Sequence, residues 1–276
     1  MEFETLTLEK KDAIATITLN RPDAMNAVNE PMAMELVAAV EDVSEDESVR
    51  VLLIKGAGRA FCAGGDFDYS KVRSGEIAIE DLKVWPEAER VVKKGKIPPK
   101  PQKKVILGLQ EMDKPTIAVV RGFAAGLGLD LACACDMRVG SPKARFTIGF
   151  TTAGIAPDSG GTWLLPRVIG VPKTLELIFT GDRWDAEEAH RVGLLNRIVP
   201  DEELDAEVDK LAHQIAAGSP IAFRLSKLQV YKGLEMDLDT ALSFAMACVR
   251  ICTESKDHKE AVKGFAEGKM PVFKDE

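Results

Sequence analysis

The sequence predicts an α/β fold: a core of alternating strands and helices to about residue 199, then a helical region from residue 200. Three observations carry this prediction. Short apolar runs such as Arg50–Lys55 and Thr116–Val120 have the continuous hydrophobicity of strands buried on both faces. Such runs alternate with helical periodicity. Beyond Pro200 strand signals vanish and only helical patterning remains.

Taken in order, residues 3–9 and 13–19 alternate apolar and polar around Lys10-Lys11-Asp12, the pattern of an antiparallel hairpin. After a turn at Arg21-Pro22-Asp23, Asn29 is placed to cap a helix with Pro31 in its first turn. Leu36, Val37, Val40 and Val43 share one face of that helix. Arg50–Lys55, Thr116–Val120, Asp136–Val139 and Asn196–Val199 read as strands. Residues 67–115 read as irregular. Within them Lys93, Lys94, Lys96, Lys100, Lys103 and Lys104 stand among Pro98, Pro99 and Pro101, the composition of a solvated loop or of a lid that attracts an anion. Helices are predicted over 201–217, 219–232, 236–255 and 257–267. Residues 1–199 therefore form one unit and 200–276 a helical second.

Composition excludes several functions. The 276 residues carry 44 acidic and 36 basic side chains, a net charge of −8, which opposes nonspecific nucleic-acid binding. The most apolar stretch, Thr116 to Cys135, is interrupted by Arg121 and Asp130, so no membrane span is expected. The N-terminus lacks an apolar signal segment, and five cysteines give no disulfide framework. These features predict a cytoplasmic protein. The three histidines, His190, His213 and His258, lie in the polar helical half, away from a plausible nucleophile, and no metal site is expected. The GAGRAF segment at 56–61 lacks the third glycine of a dinucleotide fingerprint, because Phe61 stands there.

What remains is glycine-rich and carboxylate-bearing. FCAGGDF (Phe61 to Phe67) and RGFAAGLGLDLACACD (Arg121 to Asp136) each follow an apolar strand. Gly126-Leu127-Gly128 opens an apolar helix, whose first N–H groups are unpaired and sit at the positive dipole end. Two such segments can aim two amides at one developing oxyanion.

With NRPDAMNA (Asn20 to Ala27), PDSGGTWLLPRVIG (Pro157 to Gly170), TGDRWDAEEAHRVGLLNRIV (Thr180 to Val199) and a C-terminal FAEGKMPVF, the ordered set resembles the crotonase superfamily of enoyl-CoA hydratases and isomerases. The resemblance implies a spiral core of ββα units with two sheets. It makes 1–199 the acyl-CoA-binding core and 200–276 a helical trimerisation region, in a homotrimer or dimer of trimers. It implies an acyl-CoA thioester substrate, with no cofactor beyond the coenzyme A carried by the substrate.

It also implies roles. The amides of Gly65 and Leu127 become the enolate-stabilising pair. Met25, Ala63, Asp66, Gly126 and Phe150 line the substrate, and Arg21, Arg59 and Lys269 meet the CoA phosphates. Hydratases of the family hold water between two glutamates, and the corresponding positions here are Asp130 and Phe150. Asp130 and Asp158 are therefore the candidate acid/base pair, an arrangement nearer to that of the family's isomerases. Asp158 is also placed to cap a helix starting at Ser159, and Phe150 to pack in the core. The expected activity is hydration or double-bond isomerisation of an unsaturated CoA thioester. The alternatives are hydrolysis of a thioester or C–C bond on the same fold, and RNA binding as in some relatives, which the charge disfavours.

Overall fold

The computed structural model describes residues 2–66 and 101–275. Strands β1 (Leu6–Lys11) and β2 (Ile14–Leu19) form the expected hairpin, but its turn lies at Asp12-Ala13 rather than Lys10-Lys11-Asp12. Both turn residues have positive φ, 50° and 64°. Two left-handed central residues give the twist that suits a two-residue hairpin, so both lysines are released into β1.

Helix α1 (Glu30–Glu45) begins as predicted, with Asn29 Oδ1 accepting the Met32 amide at 3.1 Å. Strand β3 (Val51–Gly56) and β4 (Thr116–Val120) match the apolar runs. Between them the expected irregular segment is partly wrong. Its residues 67–100, with Lys93, Lys94, Lys96 and Lys100, lie outside the described residues, whereas Pro101–Glu111 is a helix, α2. Pro101 suits a first helical position, and Val105, Ile106 and Leu109 turn inward on one face.

After β4 come β5 (Phe123–Ala125), α3 (Leu127–Ala134), β6 (Met137–Gly140) and β7 (Arg145–Thr147). They are followed by α4 (Gly161–Thr180), β8 (Trp184–Asp185), α5 (Ala186–Arg191) and β9 (Arg197–Ile198). One sheet has the order β1-β2-β3-β4-β6-β9, all parallel except for the first pair; a second has the order β5-β7-β8. The short β5, β7 and β8 escaped the sequence reading.

The large sheet has a core on each face. Leu52, Ile54, Ala118 and Val120 point toward α1 to α4, while Val51, Leu53, Ile117 and Val119 meet helix α6 (Leu204–Ala216). That alternation is the strand period of two applied to runs with no polar face.

Helices α7 (Pro220–Gly233), α8 (Leu238–Glu254) and α9 (Lys256–Glu267) follow. They lie within a few residues of the predicted spans. Asp136 ties α7 to the core, accepting Lys227 Nζ and Tyr231 OH at 2.8 Å each, together with the Thr116 amide and hydroxyl. Yet α7 buries no residue, and α8 buries only Cys248. Leu238, Leu242, Met246 and Val249 form an exposed apolar stripe along α8. Among the described residues no helix is long and apolar enough to cross a membrane.

Candidate active site

Two loops converge through backbone pairing. Cys62 N–H donates to Phe123 O at 2.9 Å, and Ala125 N–H donates to Cys62 O at 3.0 Å, so Cys62 pairs in parallel with Ala124. Three residues further along the chain from each stand Gly65 and Leu127, and the Leu127 nitrogen lies close to Gly64, next to Gly65. Neither amide donates a hydrogen bond to another described residue.

The Leu127 amide is free because it opens α3, before the first i→i−4 bond becomes possible. Gly126 makes that entry possible. Its backbone (φ 52°, ψ −121°) is one that residues with side chains seldom adopt. The ring edge of Phe150 lies against this glycine, and Phe150 is buried, packing into the main core. Of the two expectations for it, core packing is what the fold shows; its ring also lies beside Gly126.

On the other side, Met25 O accepts the Ala63 amide at 3.0 Å, and Val28 O accepts that of Asp66. This holds the 63–66 loop against residues 25–28. The residue that fixes the junction is Asn26, which the sequence reading passed over. It is fully buried with φ 56°. Its Nδ2 donates to Ala57 O and Ala60 O at 2.9 and 2.8 Å, and its Oδ1 accepts the Arg21 amide at 2.9 Å. Asparagine tolerates the left-handed conformation better than most residues, so an Asn in a short linker before a helix was the available signal.

Asp130 sits in the first turn of α3, fully buried, and neither carboxylate oxygen completes a hydrogen bond. Burial dominates its electrostatics and pushes its pKa up from 3.8 to about 7. The nearby Gly161 N–H works against this, and the charge of Asp158, the smallest of the three influences, adds to it. At neutral pH such a carboxyl gives up and takes back a proton with little bias.

Asp158 is placed differently. It is exposed and accepts Ser159 Oγ at 2.9 Å. It does not cap a helix, because α4 begins two residues later than expected, at Gly161, with Gly160 as its cap at φ 103°.

Gly161 touches the Asp130 carboxylate so closely that a methyl group there would overlap Asp130 Oδ1. We therefore expect Gly161→Ala to displace Asp130 and to lower kcat much more than it lowers the melting temperature. Equal kcat in the two proteins would contradict the packing just described.

Arg21 Nη1 pairs with Asp66 at 2.7 Å and donates to Ala27 O. The two predicted substrate contacts Arg21 and Asp66 therefore engage each other. Lys269 pairs with Glu267 at 2.9 Å on the exposed C-terminal segment. Arg59 is exposed and makes no ion pair among the described residues. Also among the described residues, no group of three or more His, Cys, Asp or Glu is placed to hold a metal ion.

This fold and site, two free amides beside one buried carboxyl, were compared with known proteins. The family model described as enoyl-CoA hydratase/isomerase matches residues 9–276. The crotonyl-CoA hydratase of Syntrophomonas wolfei is 36% identical over 274 residues, covering 99% of each chain. The 1,2-epoxyphenylacetyl-CoA isomerase of Escherichia coli is 33% identical, over 99% of this chain and 98% of its own. The solved structure of an enoyl-CoA hydratase subunit from Geobacillus kaustophilus superposes with a TM-score of 0.86 at 34% identity, over all of both chains. The chain belongs to the enoyl-CoA hydratase/isomerase family and has the crotonase fold. It is an enzyme of the enoyl-CoA hydratase/isomerase type.

Proposed function

We propose that the chain shifts the double bond of an unsaturated acyl-CoA rather than adding water to it. The observation that carries this reading is the solitary buried carboxyl. Among the described residues Asp130 has no buried carboxylate partner, and Phe150 fills the position where hydratases of the family place their second glutamate. A water molecule held for addition needs polar partners, which a phenyl ring does not supply.

The Gly65 and Leu127 amides bind the thioester oxygen. Asp130 removes a proton from the α-carbon of a 3-enoyl thioester, and the electron pair moves into a dienolate whose charge rests on that oxygen. The protonated Asp130 then returns the proton to the γ-carbon, the carbonyl re-forms, and the 2-enoyl thioester leaves. Each amide contributes roughly 2.7–4 kcal/mol to holding the dienolate. No metal or redox group enters this proton balance.

Asp158 acts on the step through its charge. The free enzyme must start with Asp130 ionised, so kcat/KM falls as pH drops through about 7. Removing the Asp158 charge lets Asp130 ionise more easily, so Asp158→Asn moves this limb to lower pH. A limb that stays in place would deny the coupling.

Arg21, Arg59 and Lys269 supply positive charge for the CoA phosphates. Arg59 is ready to do so, while Arg21 and Lys269 exchange a carboxylate for phosphate. Residues 200–276 form the trimerisation region, with Met25, Ala63, Asp66 and Gly126 at the substrate in the 1–199 core. Phe265 and Met270, each about nine-tenths exposed, and the α8 stripe are too apolar to face water singly. Sedimentation should give three or six chains, and a stable monomer would contradict this assignment. Function in the cytoplasm accords with such a protein.

The decisive experiment offers crotonyl-, 3-enoyl- and dienoyl-CoA thioesters and identifies products. Conversion of 3-enoyl to 2-enoyl without 3-hydroxyacyl-CoA is the expected result. Rapid formation of 3-hydroxyacyl-CoA from crotonyl-CoA, the activity in the name of the Syntrophomonas relative, would establish hydration instead.

A further inference from the structure

Met25 and Asn26 are consecutive left-handed residues, at φ 50° and 56°. Outside glycine this conformation is disfavoured and persists only where the surroundings over-determine it. Here they do. The Met25 amide donates to Pro22 O at 3.0 Å and the Asn26 amide to Arg21 O at 2.9 Å. The Asn26 side chain closes the same turn from the other direction by accepting the Arg21 amide, and its Nδ2 reaches across to both Ala57 O and Ala60 O.

The turn so fixed aims the chain at the 63–66 loop. Met25 O accepts the Ala63 amide at 3.0 Å, the Val28 amide donates to Gly64 O at 2.8 Å, and Val28 O accepts the Asp66 amide at 3.0 Å. Val28 therefore pairs in parallel with Gly65. In such a pair the bonds run to the residues on either side, so the N–H of Gly65 itself stays out of the pairing and points away from Val28. The loop has residues 25–28 on one side. On the other, Gly64 (φ 110°) lies close to Ala125 O and the Leu127 nitrogen. The Gly65 N–H is thereby turned to the side of the Leu127 amide.

We propose that Asn26 is a positioning residue for the reaction: it holds the left-handed turn whose pairing with the 63–66 loop sets the direction of the Gly65 N–H. The proposal rests on the reading of the Gly65 and Leu127 amides as the pair that binds the thioester oxygen, and adds the side chain that aims one of them. Asn26 touches no substrate, and its action is carried by Met25 O and Val28. It should therefore serve the enolate more than the bound ground state.

The test reads the bound carbonyl directly. Butyryl-CoA, isotope-labelled at its carbonyl carbon, is bound to the enzyme, and infrared spectroscopy follows the thioester stretch, which moves to lower frequency as the oxygen gains donors. Asn26→Gly keeps the left-handed backbone and removes the three side-chain bonds. Asn26→Asp keeps the acceptor for Arg21 but turns an oxygen toward Ala57 O and Ala60 O, and it provides a second reading should the first variant fold poorly. In both, most of the frequency displacement should be lost and α-proton exchange in deuterium oxide should slow about tenfold or more. The dissociation constant of butyryl-CoA should change by less than about threefold. Val43→Ala, a buried core change on α1 away from the site, lowers stability and should leave both readings as in wild type. Full displacement and full exchange in a folded Asn26 variant, or equal losses in Val43→Ala, overturn the proposal and leave the acyl-CoA reading intact. If wild type shows neither displacement nor exchange, that reading fails, and this proposal with it.

Discussion

Asp130→Asn should lower kcat by about 10²–10⁴-fold, the range that a positioned acid/base group contributes, while leaving the protein well folded. The stability arm of this prediction has a definite sign. Asp130 is raised from 3.8 to about 7 in the folded chain, so between these values the folded state holds a proton that the unfolded state has released. Stability from this group is fully present below about pH 4 and is lost as pH rises through about 7. Keeping the carboxylate ionised and buried at pH 8 costs at most about 4 kcal/mol. Asparagine carries no charge and escapes that cost, although its buried amide still wants partners. The melting temperature of the variant relative to wild type should therefore be higher at pH 8 than at pH 5. A difference independent of pH would mean that Asp130 titrates normally.

Leu127→Pro should be nearly as damaging to turnover, and for a different reason. It deletes one N–H at the first position of α3, where that N–H has no partner in the helix and where proline is well tolerated. Loss of one oxyanion donor costs about 10²–10³-fold in kcat. Leu127→Ala keeps the amide and changes only the side chain, so its kcat should fall far less. If the two variants lose turnover equally, the side chain matters and the amide does not.

Elements with strong periodicity could be read directly from the sequence. Thr116–Val120 has no polar face because both faces are buried, and its apolar continuity said so. Asn29, Ser219, Asp237 and Ser255 cap their helices with side-chain hydrogen bonds, which is why the helical boundaries fell close. By contrast, β5, β7 and β8 have three residues or fewer, too short to show a period, and are held by their neighbours in the sheet. Helix α2 was hidden by composition. Its Lys103, Lys104 and Pro101 look like loop residues until Val105, Ile106 and Leu109 are seen packing inward with α1.

The candidate site divides along the same line. The glycine clusters marked where backbone amides come free. Asp130 was marked by the family resemblance as an acid/base candidate; its complete burial among Leu129, Leu131 and Ala132 is what the fold adds. Asp158 read as an acid/base partner of Asp130, with a helix cap as the alternative because Asp is a favoured cap. Gly160 took the left-handed position instead and delayed the helix. Asn26 was missed because two of its three hydrogen bonds are tertiary, to residues 57 and 60, which local pattern does not encode.

The central claim is that two backbone amides and Asp130 together generate an enolate, and proton exchange reads this step without any double bond. Butyryl-CoA incubated with the enzyme in deuterium oxide should exchange its α-protons, faster above pH 7 than below it, and the exchange should vanish in Asp130→Asn. Undiminished α-exchange in Asp130→Asn would contradict the account.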